Sequence, residues 1–136
     1  MRSVYGENFD SIEMFEGFDL TNLERVREAV EGCDYVVHVA SPVASARSKQ
    51  IKPMEEVTQA SMRAILEACG RNKVKKLIVT LSIANMSGNP YKPSGATYDH
   101  EDYAYEKSSK LQGYALSKNL QEHEIREFLK QNPQDL

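Results

Sequence analysis

Tyr114 and Lys118 are the two residues whose types and spacing best suit acid–base chemistry in this chain. They are four residues apart in a stretch that predicts a helix, so both side chains would lie on one helix face. A neighbouring ammonium favours the phenolate form of a tyrosine, which can then exchange a proton with a hydroxyl or carbonyl group. Tyr103 and Lys107 have the same spacing, so the spacing alone is a weak signal.

Ser82 could hold the oxygen atom of a reacting substrate. It follows an apolar run at residues 76–81, and a second apolar run at residues 34–40 ends in the same way, at Ser41. Neither run alternates with polar residues, so both predict strands of a parallel sheet that are buried on both faces. Ligands of such sheets bind beyond the carboxyl ends of the strands, where both serines would lie.

Helices predicted between and after these strands would position the candidate residues. Residues 11–16 predict a short leading strand, and Thr21 with Glu24 forms a capping box that opens a helix ended by Gly32. Apolar spacing predicts further helices over residues 53–70 and 111–131, and a long loop over residues 87–102 precedes the last one. The order β-α-β-α-β-loop-α predicts an α/β fold with a parallel sheet.

Composition excludes several other classes of protein. The 136 residues fit one domain, and a net charge of −3 gives no basic excess for binding nucleic acid or acidic membranes. No apolar run is long enough to span a membrane, and the N-terminus lacks the apolar core of a signal peptide. Cys33 and Cys69 are isolated, which argues against disulfides and a structural zinc site. We therefore expect a cytoplasmic protein without a metal site.

Four stretches together resemble the extended short-chain dehydrogenase/reductase family, also called the NAD-dependent epimerase/dehydratase family. The resemblance is closest to the branch of dihydroflavonol and cinnamoyl-CoA reductases. The four stretches, in chain order, are Asp19-Leu20, residues 32–42, residues 74–82, and Tyr114-Ala115-Leu116-Ser117-Lys118 followed by Glu122. They are similar to the turn after the family's third strand, its fourth strand, its fifth strand and its active-site helix.

The resemblance implies a role for each matching residue. Tyr114 would be the general acid and base, Lys118 would favour its phenolate form and hold the nicotinamide ribose, and Ser82 would bind the substrate oxygen. The remaining cofactor-binding positions implied by the family are Asp19, Leu20, Ala40, Ser41 and Thr80. The implied cofactor is NAD or NADP, because the residues that distinguish the two follow a second strand that this sequence lacks. The implied partners are a small carbonyl or alcohol substrate and a companion chain or second copy that completes the sheet.

The sequence also departs from the family pattern. It contains no Gly-x-Gly-x-x-Gly or Gly-x-x-Gly-x-x-Gly string for a pyrophosphate. It begins near the family's third strand and ends after the active-site helix, so we expect residues 1–136 to be one partial dinucleotide-binding domain without the first βαβ unit or the substrate domain. In the order 3-2-1-4-5-6, the third and fourth strands are not neighbours. The leading strand would repack, the other two strands would form a sheet alone, or another chain would fill the gap.

Two functions follow as hypotheses. In the first, the chain is the core of an NAD(P)-dependent oxidoreductase that interconverts a carbonyl and an alcohol by hydride transfer, and is impaired when isolated. In the second, it is a non-catalytic remnant that serves as a scaffold or subunit of a larger assembly.

Overall fold

The structure is a computed structural model that describes residues 2–41, 51–87, 92–93, 95–102 and 111–133. The described part of the chain contains five α-helices and two strands. The helices are α1 (Arg2–Tyr5), α2 (Leu23–Val30), α3 (Ile51–Arg71), α4 (Ala84–Ser87) and α5 (Gly113–Gln131). A 3₁₀ helix, Gly6–Ser11, follows α1 directly. Each of these helices is too short or too polar to cross a lipid bilayer. Tyr103 and Lys107 lie outside the described residues.

The sheet consists of two parallel strands, β1 (Tyr35–His38) and β2 (Lys76–Val79). Tyr35 is opposite Lys76, and His38 is opposite Val79. Parallel strands need a crossover connection, and α3 is the crossover helix between these two. The predicted parallel α/β arrangement is therefore present, and the described residues contribute two strands to its sheet.

The hydrophobic core lies around α3. Its apolar side chains pack between α2 on one side and α5 on the other, as the helical spacing of the sequence predicts. The fully buried members of this cluster, each less than 2% exposed, are Val26, Met62, Leu66, Ala68 and Cys69. Val36, Leu77 and Val79 of the sheet pack against the same cluster. The core thus fixes one face of the sheet against α3, and α5 packs against the same cluster on that side of the sheet.

The predicted leading strand at residues 11–16 is wrong. Ser11 ends the 3₁₀ helix, and residues 12–15 have no regular secondary structure. An isolated extended segment gains stability from hydrogen bonds to a neighbouring strand. The described residues supply no such neighbour to this segment, so its alternating apolar side chains do not produce a strand.

The predicted N-cap of α2 is also wrong by one residue. The cap is Asn22, whose side-chain oxygen accepts a hydrogen bond from the backbone N–H of Arg25 at 3.3 Å. Thr21 instead donates both its backbone N–H and its hydroxyl to the Asp19 carboxylate, each at 2.9 Å. Asparagine caps helices as well as threonine does, and Asp19 holds Thr21 in the turn before the helix.

The prediction that both strands are buried on two faces is wrong for one face. Tyr35 and Val37 of β1 are 65% and 62% exposed, and Ile78 of β2 is 51% exposed. These side chains point away from α3, because successive residues of a strand alternate between faces. No element of the described part of the chain packs on that face, so an apolar sequence is left facing solvent.

Candidate active site

Lys118 is the buried charge at the centre of the candidate site. It lies on α5, is only 3% exposed, and donates a hydrogen bond from Nζ to the backbone oxygen of Thr80 at 2.7 Å. Thr80 is the first residue after β2, so the ammonium lies at the carboxyl end of that strand. Burial lowers the pKa of Lys118, and the neighbouring Tyr114 partly opposes that change. Among the described residues this carbonyl is the one acceptor for the three ammonium hydrogens, so two remain for a ligand.

Tyr114 lies one helical turn before Lys118. The Lys118 ammonium is 5.9 Å from the centre of the tyrosine ring, a distance at which the ring and the cation attract each other. Tyr114 is 41% exposed although Lys118 is buried. A phenol that is accessible to a ligand and backed by a buried cation can exchange a proton with that ligand.

Ser82 lies two residues beyond Thr80, where the chain turns from β2 into α4. Its Oγ accepts a hydrogen bond from the backbone N–H of Ala84 at 3.2 Å. A hydroxyl that accepts one hydrogen bond can still donate its own hydrogen to a substrate oxygen. The hydrogen bond between Lys118 and Thr80 brings this serine-bearing segment to the helix that carries Tyr114.

The end of β1 lies beside the same segment. The backbone N–H of Thr80 donates to the His38 oxygen at 3.0 Å, so Ala40 and Ser41 extend from the sheet next to the serine segment. Burial lowers the pKa of His38, and the positive charge of Lys118 lowers it further. Both effects disfavour the positively charged form of the His38 imidazole.

Asp19 and Leu20 were predicted to border the adenine of a cofactor. Leu20 and Ala40 line one apolar cavity of about 540 Å³ along β1, so the structure brings these two positions together. Asp19 is exposed, and the hydrogen bonds from Thr21 lower the pKa of its carboxyl group. That carboxylate is thus already engaged in the turn before α2.

The residues present fit the ribose groups and an apolar ring of a nicotinamide dinucleotide. In the described part of the chain, Ser41 Oγ is buried without a hydrogen-bond partner and Lys118 uses one of its three ammonium hydrogens. Ser41 and Lys118 could bind ribose hydroxyl groups, while Leu20 and Ala40 offer an apolar wall. The glycine-rich turn that would cradle the pyrophosphate does not occur in this sequence.

Asn85 and Asn119 are site residues that the sequence analysis missed. Asn85 on α4 is 3% exposed, and its Nδ2 donates to the Lys118 backbone oxygen at 3.0 Å. Asn119 on α5 is fully buried, and its Nδ2 donates to the Ala84 oxygen at 3.3 Å. Asparagine is disfavoured within helices, so asparagines next to Lys118 and three residues after Ser82 were a signal for such a role.

Comparison with known proteins gives the chain its family. A model described as the NAD dependent epimerase/dehydratase family matches residues 2–134. Vestitone reductase of Medicago sativa is 35% identical over 126 residues, which are 90% of this chain and 39% of that protein. Anthocyanidin reductase of Arabidopsis thaliana is 30% identical over 120 residues, 84% of this chain and 35% of that protein. Dihydroflavonol 4-reductase of Callistephus chinensis is 31% identical over 120 residues, 84% of this chain and 32% of that protein.

The chain spans about a third of the length of the curated relatives that it matches. The relatives include dihydroflavonol and cinnamoyl-CoA reductases, which confirms the branch that the four sequence stretches resemble. Because the family model covers nearly all of the sequence, the chain belongs to the NAD dependent epimerase/dehydratase family of enzymes.

Proposed function

We propose that this chain carries the proton-transfer centre of an NAD(P)-dependent oxidoreductase that interconverts a carbonyl and an alcohol. In this proposal β1 and β2 correspond to the fourth and fifth strands of a Rossmann-type sheet, and α5 is the active-site helix. Family membership supports a nicotinamide cofactor, and the relatives are named as reductases. Neither the family nor the site selects between NAD and NADP.

The observation that carries the proposal is the placement of Lys118. A lysine that is 3% exposed has lost most of its hydration, and burying a charge is costly unless the charge has partners. Its only hydrogen-bond partner among the described residues is the Thr80 oxygen. A buried ammonium beside the accessible Tyr114 is suited to stabilising the negatively charged phenolate form of that tyrosine.

Each residue has a defined task in the proposed reaction. In reduction, the Tyr114 hydroxyl donates a proton to the substrate oxygen, and in oxidation the phenolate accepts it. Lys118 stabilises the phenolate by its charge, and Ser82 donates a hydrogen bond to the same substrate oxygen. When bound, the nicotinamide supplies or accepts the hydride. Leu20, Ala40, Ser41 and Thr80 line the cofactor side of the site, with Asp19 at its adenine end.

A cofactor titration tests the proposal directly. The purified chain is titrated with NADPH and with NADH, and binding is followed by nucleotide fluorescence and calorimetry. We expect binding that weakens at least about tenfold in Lys118→Ala and does not change in Lys130→Ala, which removes an exposed lysine of the same helix. Circular dichroism of each variant checks that α5 is still folded. An absence of binding at millimolar nucleotide would contradict the proposal for this chain.

Turnover tests the role of Tyr114 separately from binding. Cinnamoyl-CoA, vestitone and an anthocyanidin are suitable probes, because relatives are named for acting on these compounds. We expect Tyr114→Phe to retain nucleotide binding and to lose oxidation of NADPH by any probe that the unaltered chain reduces. If Tyr114→Phe reduces the probe at an unchanged rate, Tyr114 is not the acid.

A second function is favoured by the exposed sheet face. Val37 and Ile78 are more than half exposed, and the apolar cavity along β1 is open beside them. We propose as the alternative that the chain is a non-catalytic subunit whose partner, a companion chain or a second copy, extends the two-stranded sheet at an edge and covers this face. Sedimentation at several protein concentrations distinguishes the two. A monomer that binds NADPH tightly would reject the subunit hypothesis.

A further inference from the structure

Two buried asparagines join the serine-bearing segment to the helix that carries Tyr114 and Lys118. Asn85 lies on α4, and both hydrogens of its side-chain amide point at α5. One binds the backbone oxygen of Lys118 at 3.0 Å, and the other binds the Glu122 carboxylate at 2.6 Å. The Glu122 carboxylate is held in place from its other side by Arg126, at 2.6 and 2.9 Å.

Asn119 makes the reciprocal connection from α5 to α4. Its amide donates to the Ala84 backbone oxygen at 3.3 Å and to the Ala115 backbone oxygen of its own helix at 2.9 Å. Ala84 is also the residue whose backbone N–H binds Ser82 Oγ. The position of the serine hydroxyl is therefore linked to α5 through a single residue.

We infer that Asn85 and Asn119 are positioning residues that fix Ser82 relative to Tyr114 and Lys118. The inference rests on the proposed function for its catalytic meaning, but the contacts themselves do not depend on it. Residues 80–85 are held to α5 at three points, which are the Thr80 oxygen, the Ala84 oxygen and the Asn85 amide. Ser82 lies between these points, so its backbone cannot shift relative to α5 without breaking at least one of them, and the Ala84 N–H holds its Oγ within the segment.

Chemistry explains why amides perform this task. A carboxamide has two donor hydrogens on one nitrogen, so it can bind two oxygen atoms of a neighbouring helix at once. Both asparagines are buried, and a buried donor without a partner is costly. Each amide is therefore held to one orientation, which makes the connection rigid. An aliphatic side chain of the same size would fill the space but would leave the Lys118 and Ala84 oxygens without this link.

Chemical labelling of Lys118 tests the inference without requiring activity. Lysines are modified by reductive methylation at neutral pH, and the rate at Lys118 is measured by mass spectrometry relative to exposed Lys130 in the same sample. In the unaltered chain we expect Lys118 to react at least about tenfold more slowly than Lys130, because burial limits its access to the reagent. In Asn85→Leu and in Asn119→Leu we expect that difference to fall to about twofold.

Two controls separate positioning from general loosening. Asn72→Leu removes an amide that, among the described residues, binds only the Ala68 oxygen of α3, and we expect it to leave the Lys118 rate unchanged. Cys69 is fully buried in the core, so its reaction with a thiol reagent reports global opening. We expect that rate to be the same in Asn85→Leu and in the unaltered chain. Asn85→Gln keeps the two donor hydrogens and is expected to restore at least half of the protection.

The outcomes are distinct. If Lys118 reacts equally slowly in Asn85→Leu and Asn119→Leu as in the unaltered chain, the inference is wrong. If Lys118 and Cys69 become reactive together, the asparagines serve general stability, and the inference is also wrong. Failure of the unaltered chain to bind NADPH would contradict the proposed function, whereas the labelling pattern would be unaffected by that result.

Discussion

The two faces of the β1–β2 sheet have similar apolar side chains but different surroundings. Val36, Leu77 and Val79 pack against the core around α3, whereas Val37 and Ile78 on the opposite face are more than half exposed. The same run of residues therefore contains both a packed and an unpacked surface. The comparison teaches that an apolar sequence makes both faces of a strand suitable for burial. It does not reveal whether another element covers each face.

The packed face is also the face that supports the candidate site. Lys118 reaches Thr80 from α5, and α5 is held to α3 by a partly buried ion pair in which Arg63 binds Glu124 at 2.6 and 2.9 Å. Gln59 binds the same carboxylate at 2.8 Å. The rigidity that the site requires therefore comes from the side of the sheet where α3 and α5 lie. We expect changes on this side to affect stability, and changes on the exposed face to have little effect.

The largest expected loss of stability follows from a change in the core beneath the packed face. Met62 is fully buried on α3. Met62→Ala removes buried contacts and leaves a cavity, so we expect the free energy of unfolding to fall by about 2–5 kcal/mol. Urea unfolding followed by circular dichroism measures this free energy. The control variant is Val57→Ala, because Val57 lies on the same helix and is exposed. Equal effects of the two changes would contradict the described core.

A smaller loss is expected from the ion pair between the helices. In Glu124→Gln the charge is removed but the size is kept, so hydrogen bonds to Arg63 are weakened and not abolished. Arg63 is 61% exposed in its side chain, and its guanidinium can be solvated by water, so the loss is about 1–2 kcal/mol. Glu127→Gln changes a carboxylate one turn further along α5 that pairs with exposed Lys130. We expect the free energy of unfolding to fall much less in this control variant, Glu127→Gln, than in Glu124→Gln.

The stability difference between the unaltered chain and Glu124→Gln should also depend on pH, which gives an independent check. Burial alone would raise the pKa of Glu124, but the hydrogen bonds from Arg63 and Gln59 outweigh it, and the net pKa is lowered from its ordinary value of 4.5. A carboxyl group with a lowered folded-state pKa stabilises the fold fully above its unfolded pKa and loses that contribution as pH falls. The difference between the unaltered chain and Glu124→Gln should be constant above about pH 5.5. It should shrink below pH 4.5, and a difference that grows on acidification would show that Glu124 is protonated in the fold.

Much of this architecture could be predicted from local sequence. Helical spacing gave α3 and α5 within two residues of their ends, because each buries an apolar stripe against the other. The strand expected at residues 11–16 did not form, because strand formation depends on a neighbour that local sequence does not reveal. The spacing of Tyr114 and Lys118 predicts that they share a helix face, and both lie on α5, where Lys118 is near the Tyr114 ring and binds the Thr80 oxygen.

The reciprocal bonds of Asn85 and Asn119 could not be predicted from spacing. They join α4 to α5 across more than 30 residues of chain, and only the packing of the two helices brings them together. Local sequence also does not show which face of the sheet is covered. Val36 and Val37 are the same residue type and are adjacent in sequence, yet only Val36 packs against the core. Long-range contacts decide both features, and a single sequence contains no direct record of such contacts.

The smallest expected effect is on the exposed face, and it tests the comparison most directly. Val36 and Val37 are neighbours in β1, so Val36→Ala and Val37→Ala make the same chemical change on opposite faces of one strand. We expect Val36→Ala to cost about 1 kcal/mol, because it removes methyl groups that pack against the core. We expect Val37→Ala to change the free energy of unfolding by less than about 0.5 kcal/mol, because its side chain is solvated in the folded chain. Urea unfolding at two protein concentrations completes the test. The loss of stability in Val37→Ala could instead equal that in Val36→Ala and grow with protein concentration. That result would show that another copy of the chain covers this face, so that both faces are packed.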